Sequence, residues 1–239
     1  MRLDKYLCQT TGISRSQARE FIKKGCVTVN GEKAKMADDK VAEETDQVTL
    51  NGQPVKYAAF HYYLLNKPAG LITATKDKSE KTVLDCLKGC QVKNLFPVGR
   101  LDKDTEGLLL ITDDGALAHN LLSPKKHVDK EYLVQLKEPI TEEACSKLRS
   151  GVDIQDEKPT LPAKVIVEEE CQIRLTIQEG RFHQVKRMLQ AVGNEVVYLK
   201  RLSMGPLRLP EEMLPGEYRE LNGEEIFALK NRMKTENQT

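Results

Sequence analysis

The side chains best suited to chemistry lie in a short charged loop at residues 99–107, directly before an apolar segment. Asp102 stands between two cations, Arg100 and Lys103, which favour the ionised form of its carboxylate. An ionised carboxylate in a cleft can act as a nucleophile or as a general base. The alternative interpretation is a charged surface turn in which Asp102 caps the backbone, and composition alone favours that turn.

A second group of charged residues, at 179–188, combines three cations with a predicted helix. Arg181, Lys186 and Arg187 lie near the start of that helix, and a helix N-terminus attracts anions. Lys186 and Arg187 could instead be the solvent-facing side of an amphipathic helix. His183 is interpreted as a structural hydrogen-bonding residue. Because no second histidine, cysteine or carboxylate stands at metal-ligand spacing, the sequence predicts no metal site.

Tyr132 is the third candidate, since it stands early in a strand predicted at residues 132–136. An aromatic ring in that position could stack on a nucleobase. The alternative, which the sequence alone favours, is a core aromatic residue whose hydroxyl group reaches the protein surface.

The fourth candidate is a basic helix predicted over residues 14–24. Arg15, Arg19 and Lys23 follow one another at four-residue intervals and therefore share one face, with Lys24 beside them. No carboxylate stands four residues before or after this row, so the cations repel one another unless an anion covers the face. The pattern indicates contact with phosphate groups, although a solvated helix face is the simpler alternative.

The elements that must position these residues fall into two groups. Residues 1–56 predict a small unit of two helices and two hairpins, in which Ser14 and Gln17 form a capping box and Asn-Gly pairs form the turns. Pro54 marks a linker, so residues 57–239 form a second domain. There, strands and helices mix without strict alternation, which predicts an α+β domain with a mixed, largely antiparallel sheet and flanking helices. Strands are predicted at 62–65, 108–112, 132–136, 165–167, 173–177 and 196–199, and helices ending at 122 and spanning 141–149 and 182–192.

Charge and composition narrow the class of protein. The net charge is only +1, yet residues 1–35 hold eight Lys and Arg against three Asp and Glu, and residues 181–208 hold six against one. Such local basic patches are typical of nucleic-acid-binding proteins, although ordinary solvated helix faces explain the charge pattern equally well. Apolar runs of at most four or five residues exclude a membrane span, and six scattered cysteines without a CxxC pair are interpreted as free thiols. With no signal peptide in the sequence, we expect a cytoplasmic protein.

These motifs resemble those of a known family. The GRLD loop at 99–102 with the segment TEGLLLITDDG at 105–115 closely resembles the signature of bacterial ribosomal RNA pseudouridine synthases. The other catalytic-domain motifs of that family are matched by residues 63–70, 130–132 and 179–188. Residues 1–50 resemble the α-L RNA-binding domain, which is named after ribosomal protein S-four. The most similar branch of the family modifies one uridine of 16S ribosomal RNA.

The resemblance implies a reaction and roles for these residues. A uridine in RNA becomes pseudouridine without a cofactor: the glycosidic bond breaks, the base rotates, and its C5 is rejoined to the ribose. Asp102 would supply the essential carboxylate, and Tyr132 would stack on the extruded base. Lys186 or Arg187 would keep that carboxylate ionised, and the choice stays open because the family often has arginine where Lys186 stands. The expected RNA contacts are Arg15, Arg19, Lys23, Lys24, Arg100 and Arg181.

The implied partner is ribosomal RNA, either 16S RNA or a small-subunit assembly intermediate. We expect the protein to act as a monomer and to have no membrane partner. Three alternatives remain. One is a 23S RNA pseudouridine synthase of the same architecture. Another is a non-enzymatic RNA-binding protein of ribosome assembly, against which the intact GRLD motif argues. The third is a glycoside hydrolase that pairs Asp102 with Asp104, which the few aromatic residues and the basic patches disfavour.

Overall fold

The computed structural model describes residues 1–43, 45–55 and 57–235. The chain divides into two compact units, the first made of Met1–His61 with Gly89–Asn94 and the second of Tyr62–Lys88 with the residues from Leu95 onward. The boundary predicted after residue 56 falls shortly before His61. Gly89–Asn94 belongs to the first unit through tertiary contacts, and the sequence pattern did not predict this. In the described part of the chain, no helix is both long and apolar enough to cross a membrane.

The first unit contains two helices and a four-stranded sheet. α1 (Leu3–Thr11) ends at Gly12, and α2 (Arg15–Lys23) begins after Ser14. The Ser14 hydroxyl accepts a hydrogen bond from the Gln17 N–H, and the Gln17 side chain accepts one from the Ser14 N–H. The predicted capping box is therefore confirmed. The strands are β1 (Val27–Val29), β2 (Glu32–Lys33), β3 (Val48–Leu50) and β4 (Gln53–Val55), in the sheet order β2-β1-β3-β4.

Both predicted Asn-Gly turns are present in this sheet. Asn30 and Gly31 join β1 to β2, and Asn51 and Gly52 join β3 to β4. The four residues have positive φ angles of 52°, 86°, 52° and 76°, as a type I′ turn requires. Asparagine and glycine accept this conformation more readily than other residues, so these pairs fix the register of both hairpins.

The second unit is built on one mixed sheet, which has nine strands within the described residues. All pairings are antiparallel except that of β7 with β11, so the predicted α+β domain with a largely antiparallel sheet is confirmed. The three strands that were not predicted, β6, β12 and β13, are too short to show an alternating pattern. The strands are β5 (Tyr62–Lys67), β6 (Phe96–Pro97), β7 (Glu106–Thr112), β8 (Lys130–Leu136), β9 (Lys164–Glu169), β10 (Gln172–Ile177), β11 (Val196–Met204), β12 (Leu207–Arg208) and β13 (Tyr218–Glu220). The main order is β13-β5-β7-β11-β8-β10-β9, with β6 beside β7 and β12 beside β11.

Helices follow several of these strands along the chain. They are α3 (Gly115–Leu122), α4 (Glu142–Ser150), α5 (Gln184–Ala191) and α6 (Gly223–Thr235). The helix predicted from residue 182 begins at Gln184 instead, because His183 adopts a left-handed φ of 49°. The sequence pattern did not predict α6. Among its described side chains only Leu229 is fully buried, so its apolar stripe is narrow.

Strand β7 lies in the core of the second unit and directly follows the loop that carries Asp102. Leu108, Leu109, Leu110 and Ile111 are fully buried. At Gly107 the φ angle is +101°, and an added Cβ would lie 2.2 Å from the Arg201 carbonyl oxygen. Only glycine therefore permits β7 to pair with β11 at this point. The Asp102 loop therefore leads into an internal strand, whose pairing with β5 and β11 fixes the end of the loop.

Candidate active site

A cleft of about 910 Å³ opens beside the loop that carries Asp102. The side chain of Asp102 is 25% exposed, which leaves its carboxylate accessible from the cleft. Tyr132, from β8, is 7% exposed and lines the same cleft. Arg100 and Arg181 also line it. The fold thus brings together four of the residues that the sequence analysis singled out, from three separate segments of the chain.

The Asp102 loop is held in place by the segment that follows β5. The Thr73 hydroxyl donates a hydrogen bond to the Leu101 carbonyl oxygen at 2.7 Å and accepts one from the Leu101 N–H at 3.1 Å. The Gly70 N–H donates to the Lys103 carbonyl oxygen at 2.7 Å. Both chain neighbours of Asp102 are therefore fixed, which gives the carboxylate the defined position that a catalytic group needs.

A buried cation strengthens this attachment. Lys67 has no exposed surface, and its Nζ donates to the carbonyl oxygens of Pro68, Lys103 and Thr105 at 3.0, 3.2 and 2.8 Å. Burial lowers the pKa of the Lys67 ammonium group to about 8, because the charged form is disfavoured away from water. The burial of Lys67 is not evident from the sequence, since a lysine beside a proline has the pattern of an exposed turn.

Replacing Lys67 by methionine is expected to change how stability depends on pH. The unfolded chain keeps the lysine proton up to about pH 10.5, and the folded protein keeps it only up to about pH 8. Between these values the unfolded state binds more protons, so this lysine makes the wild-type free energy of unfolding rise with pH. Lys67→Met lacks this pH-dependent contribution. As the pH rises through this interval, the free energy of unfolding of wild type should therefore increase relative to that of Lys67→Met. Urea unfolding of both proteins across this interval measures it, and parallel pH curves would contradict the prediction.

Two side chains from the 183–186 segment lie next to the Asp102 carboxylate. His183 Nε2 is 3.5 Å from Asp102 Oδ1, and Lys186 Nζ is 3.5 Å from Oδ2. Lys186 also binds Asp104, at 2.6 and 2.7 Å to its two oxygens, and this hydrogen bond holds the pKa of Asp104 below its usual range. The structure therefore places Lys186 beside Asp102, and it puts His183, which was interpreted as structural, against the same carboxylate.

Arg187 and Arg181 are bound by protein groups. Arg187 pairs with Asp156 at 2.7 Å, and Arg181 pairs with Glu179 at 2.6 Å. Both guanidinium groups also donate to backbone carbonyl oxygens in the loop 154–159. The structure does not bring Arg187 to Asp102, and much of the positive charge predicted for this segment is neutralised within the protein. Counting charges along the chain could not show this, because the acidic loop comes near only in the folded state.

The cleft is also lined by a buried arginine, Arg201 from β11. Only 2% of its surface is exposed, and its Nε donates to the Leu108 carbonyl oxygen at 2.7 Å. Among the described residues, one of its terminal nitrogens has no hydrogen-bond partner. A buried donor without a partner lowers stability unless a water molecule or a ligand reaches it. Arg201 was not among the predicted site residues, because the strand was predicted to end at residue 199.

The four cations of the α2 segment are all exposed, but two of them have acidic partners. Arg19 Nη2 is 3.6 Å from Asp4 Oδ2, and Lys24 pairs with the glutamate one turn earlier at 2.6 Å. Spacing along α2 alone does not reveal the pairing of Arg19, because Asp4 belongs to α1. Arg15 and Lys23 form no ion pair with the described residues, so they are the cations most available to an anion.

This arrangement suits chemistry on a ligand that enters the cleft. A carboxylate on a fixed loop lies beside a cation, and a nearly buried aromatic ring lines the same space. Because the hydrogen bond from Lys186 holds the pKa of Asp104 below its usual range, Asp104 does not suit the role of the protonated acid in a paired-carboxylate glycoside hydrolase. In residues 1–43, 45–55 and 57–235, no three His, Cys, Asp or Glu side chains are grouped so that they could hold a metal ion. All six cysteines are free, as the sequence predicted.

Two family models match the chain. The model described as RNA pseudouridylate synthase matches residues 61–191, and that of the S4 domain matches residues 1–47. One solved structure, described as the crystal structure of a pseudouridylate synthase, superposes with a TM-score of 0.68 at 37% sequence identity. The superposition covers 96% of this chain and 99% of the other.

Three curated proteins are similar over nearly their whole length. Ribosomal small subunit pseudouridine synthase A of Escherichia coli K12 is 44% identical, with 96% of this chain and 100% of that protein covered. The protein of the same name from Yersinia pestis is 42% identical, with coverages of 96% and 98%. The uncharacterized RNA pseudouridine synthase YtzG of Bacillus subtilis is 49% identical, also with 96% and 98% covered.

Proposed function

Because this chain belongs to the RNA pseudouridine synthase family and isomerises uridine to pseudouridine, we propose that its target is a uridine of 16S ribosomal RNA. Relatives that are 42% and 44% identical over nearly their whole length are named small-subunit enzymes. The S4 domain at residues 1–47 supports an RNA partner. The proposed substrate is therefore 16S RNA or a small-subunit assembly intermediate, bound by a monomer.

The position of Asp102 carries the catalytic part of this proposal. Attack on the ribose and removal of a ribose proton both need an ionised carboxylate within reach of the sugar. Asp102 meets this need because it is partly exposed in the cleft, held by its neighbours, and 3.5 Å from the Lys186 ammonium group. Lys186 acts as a positioning residue that supplies positive charge beside the carboxylate.

Tyr132 is proposed to stack on the uracil that enters the cleft. A uridine within folded RNA has to leave its base stack, which costs a few kcal/mol. An aromatic ring that receives the base offsets part of this cost, at roughly 1–3 kcal/mol per base. The cleft volume of about 910 Å³ is ample for a nucleotide, since ligand sites typically measure about 300–1,000 Å³.

The decisive experiment is to map pseudouridine in ribosomal RNA from cells with and without this protein. One 16S uridine should remain unmodified in its absence, and the wild-type gene should restore the modification. Loss of a pseudouridine from 23S RNA would overturn the proposed target while leaving the reaction in place. Unchanged modification in both RNAs would place the target uridine outside ribosomal RNA and overturn the proposed substrate.

RNA binding by α2 predicts a particular dependence on salt. Replacing Arg15 and Lys23 by glutamine should remove up to two phosphate contacts, so the log–log salt slope should flatten by roughly 0.7–0.9 per contact. Adding Arg19→Gln should change the slope less, because Asp4 already neutralises part of that charge. Filter binding over a salt series measures the slopes, with Lys24→Gln as a control for an already paired cation. Equal slopes for wild type and double variant would mean that the face is only solvated.

A further inference from the structure

An exposed aromatic ring stands at the edge of the cleft and takes no part in the chemistry described above. Phe182 is 76% exposed, although it lines the same cleft as Asp102 and Tyr132. Its ring is stacked on the His183 imidazole, with ring centroids 3.9 Å apart and planes inclined by 16°. Single exposed apolar side chains are common, so exposure by itself carries no meaning. What distinguishes Phe182 is that it stacks on His183 beside a cleft large enough for a nucleotide.

The backbone around Phe182 is fixed, so the ring is held at a defined place. The Phe182 carbonyl oxygen accepts a hydrogen bond from Arg187 Nη1 at 3.2 Å. On the other side, the Arg181 N–H donates to Gln184 Oε1 at 3.0 Å, and the Gln184 N–H donates to the Arg181 carbonyl oxygen at 3.2 Å. A ring on a fixed backbone loses little conformational entropy when a ligand stacks on it. The segment is therefore preorganised for a planar partner.

The geometry points to the class of that partner. His183 contacts the Asp102 carboxylate at 3.5 Å, and Phe182 lies one ring further out. A uridine whose ribose reaches Asp102 places its own base in the cleft beside Tyr132, so a base on Phe182 must belong to another nucleotide. We propose that Phe182, supported by His183, is a stacking platform for the nucleobase next to the target uridine. This proposal rests on the proposed function, since it needs an RNA strand in the cleft.

The platform has a physical purpose during extrusion of the target. When a uridine leaves its stack, the neighbouring base loses one stacking partner. A fixed aromatic ring at the cleft edge replaces that partner and stabilises the opened RNA. Stacking on an aromatic side chain changes affinity by about 5- to 150-fold per base. Because every base has a π face, this contact adds affinity without specifying sequence.

A kinetic experiment separates stacking from simple apolar contact. Phe182→Leu keeps an apolar side chain without a ring, and kcat/KM for an RNA fragment containing the mapped site should fall by about 5- to 150-fold. Phe182→Tyr keeps the ring and should retain wild-type kinetics. Phe227 is a matched control, because it is 67% exposed on α6 and does not line the cleft, so Phe227→Leu should have no effect. Equal kinetics for Phe182→Leu and wild type would overturn the platform.

A fluorescence experiment tests the identity of the partner base. The chain contains no tryptophan, so Phe182→Trp introduces a single indole at the proposed platform. In an Asp102→Asn background, which prevents turnover, binding of the RNA fragment should quench its emission. Removing the base on one side of the target, as an abasic nucleotide, should abolish that quenching. If quenching persists when the base on the 5′ side is removed and also when the base on the 3′ side is removed, the proposal is overturned. Pseudouridine formation by wild-type enzyme on the same RNA tests the proposed function separately.

Discussion

Asp102→Asn is expected to abolish pseudouridine formation while RNA affinity stays within a few-fold of wild type. The amide has nearly the same shape as the carboxylate, yet it can neither attack the ribose nor accept a proton. Loss of such a group lowers rates by roughly 10²–10⁴-fold or more. The measurement is chromatographic analysis of nucleosides after incubation of RNA with the purified variant, together with a binding isotherm.

Asp104→Asn is the matched control for this result. Asp104 lies in the same loop and has an exposed side chain, but it binds Lys186 and does not line the cleft. Its replacement should reduce activity far less than Asp102→Asn does. Turnover by Asp102→Asn at a rate close to that of wild type, or equal losses in the two variants, would remove Asp102 from its proposed role.

Tyr132 should show a second large effect, which depends on its ring. Tyr132→Leu fills much of the same space without a ring, and kcat/KM should fall by about 5- to 150-fold if the ring stacks on uracil. Tyr132→Phe keeps the ring and should stay close to wild type. Because Tyr132 is 7% exposed, thermal unfolding has to be followed in parallel to separate lost activity from lost stability. If leucine supports the same activity as phenylalanine, Tyr132 is only a core aromatic residue.

Local features of the fold were predictable because a few residues determine them. Ser14 and Gln17 define the start of α2, and each Asn-Gly pair defines a hairpin, since these residues satisfy backbone groups or accept positive φ angles. The long apolar run of β7 and the charged loop before it were also evident. The left-handed conformation of His183 was not, so α5 begins two residues later than the apolar pattern predicts.

The partners of the charged residues could not be predicted, because they come from distant parts of the chain. Arg187 and Lys186 are adjacent in sequence, yet Arg187 binds Asp156 and Lys186 binds Asp104. Burial of Lys67 and Arg201 likewise depends on tertiary packing, and a lone cation in a sequence gives no sign of it. The pattern identified which residue types could act at the site, and only the fold shows which of them meet.

Close packing at Gly107 also limits how this sequence can evolve. Every single-nucleotide change of a glycine codon that introduces another amino acid adds a Cβ, and a Cβ here would collide with the backbone of Arg201. Relief of that collision requires β7 and β11 to separate, which would also disturb the Arg201 bond to Leu108 and the loop that carries Asp102. The position therefore cannot drift through single substitutions, even though Gly107 has no side chain with which to touch a substrate.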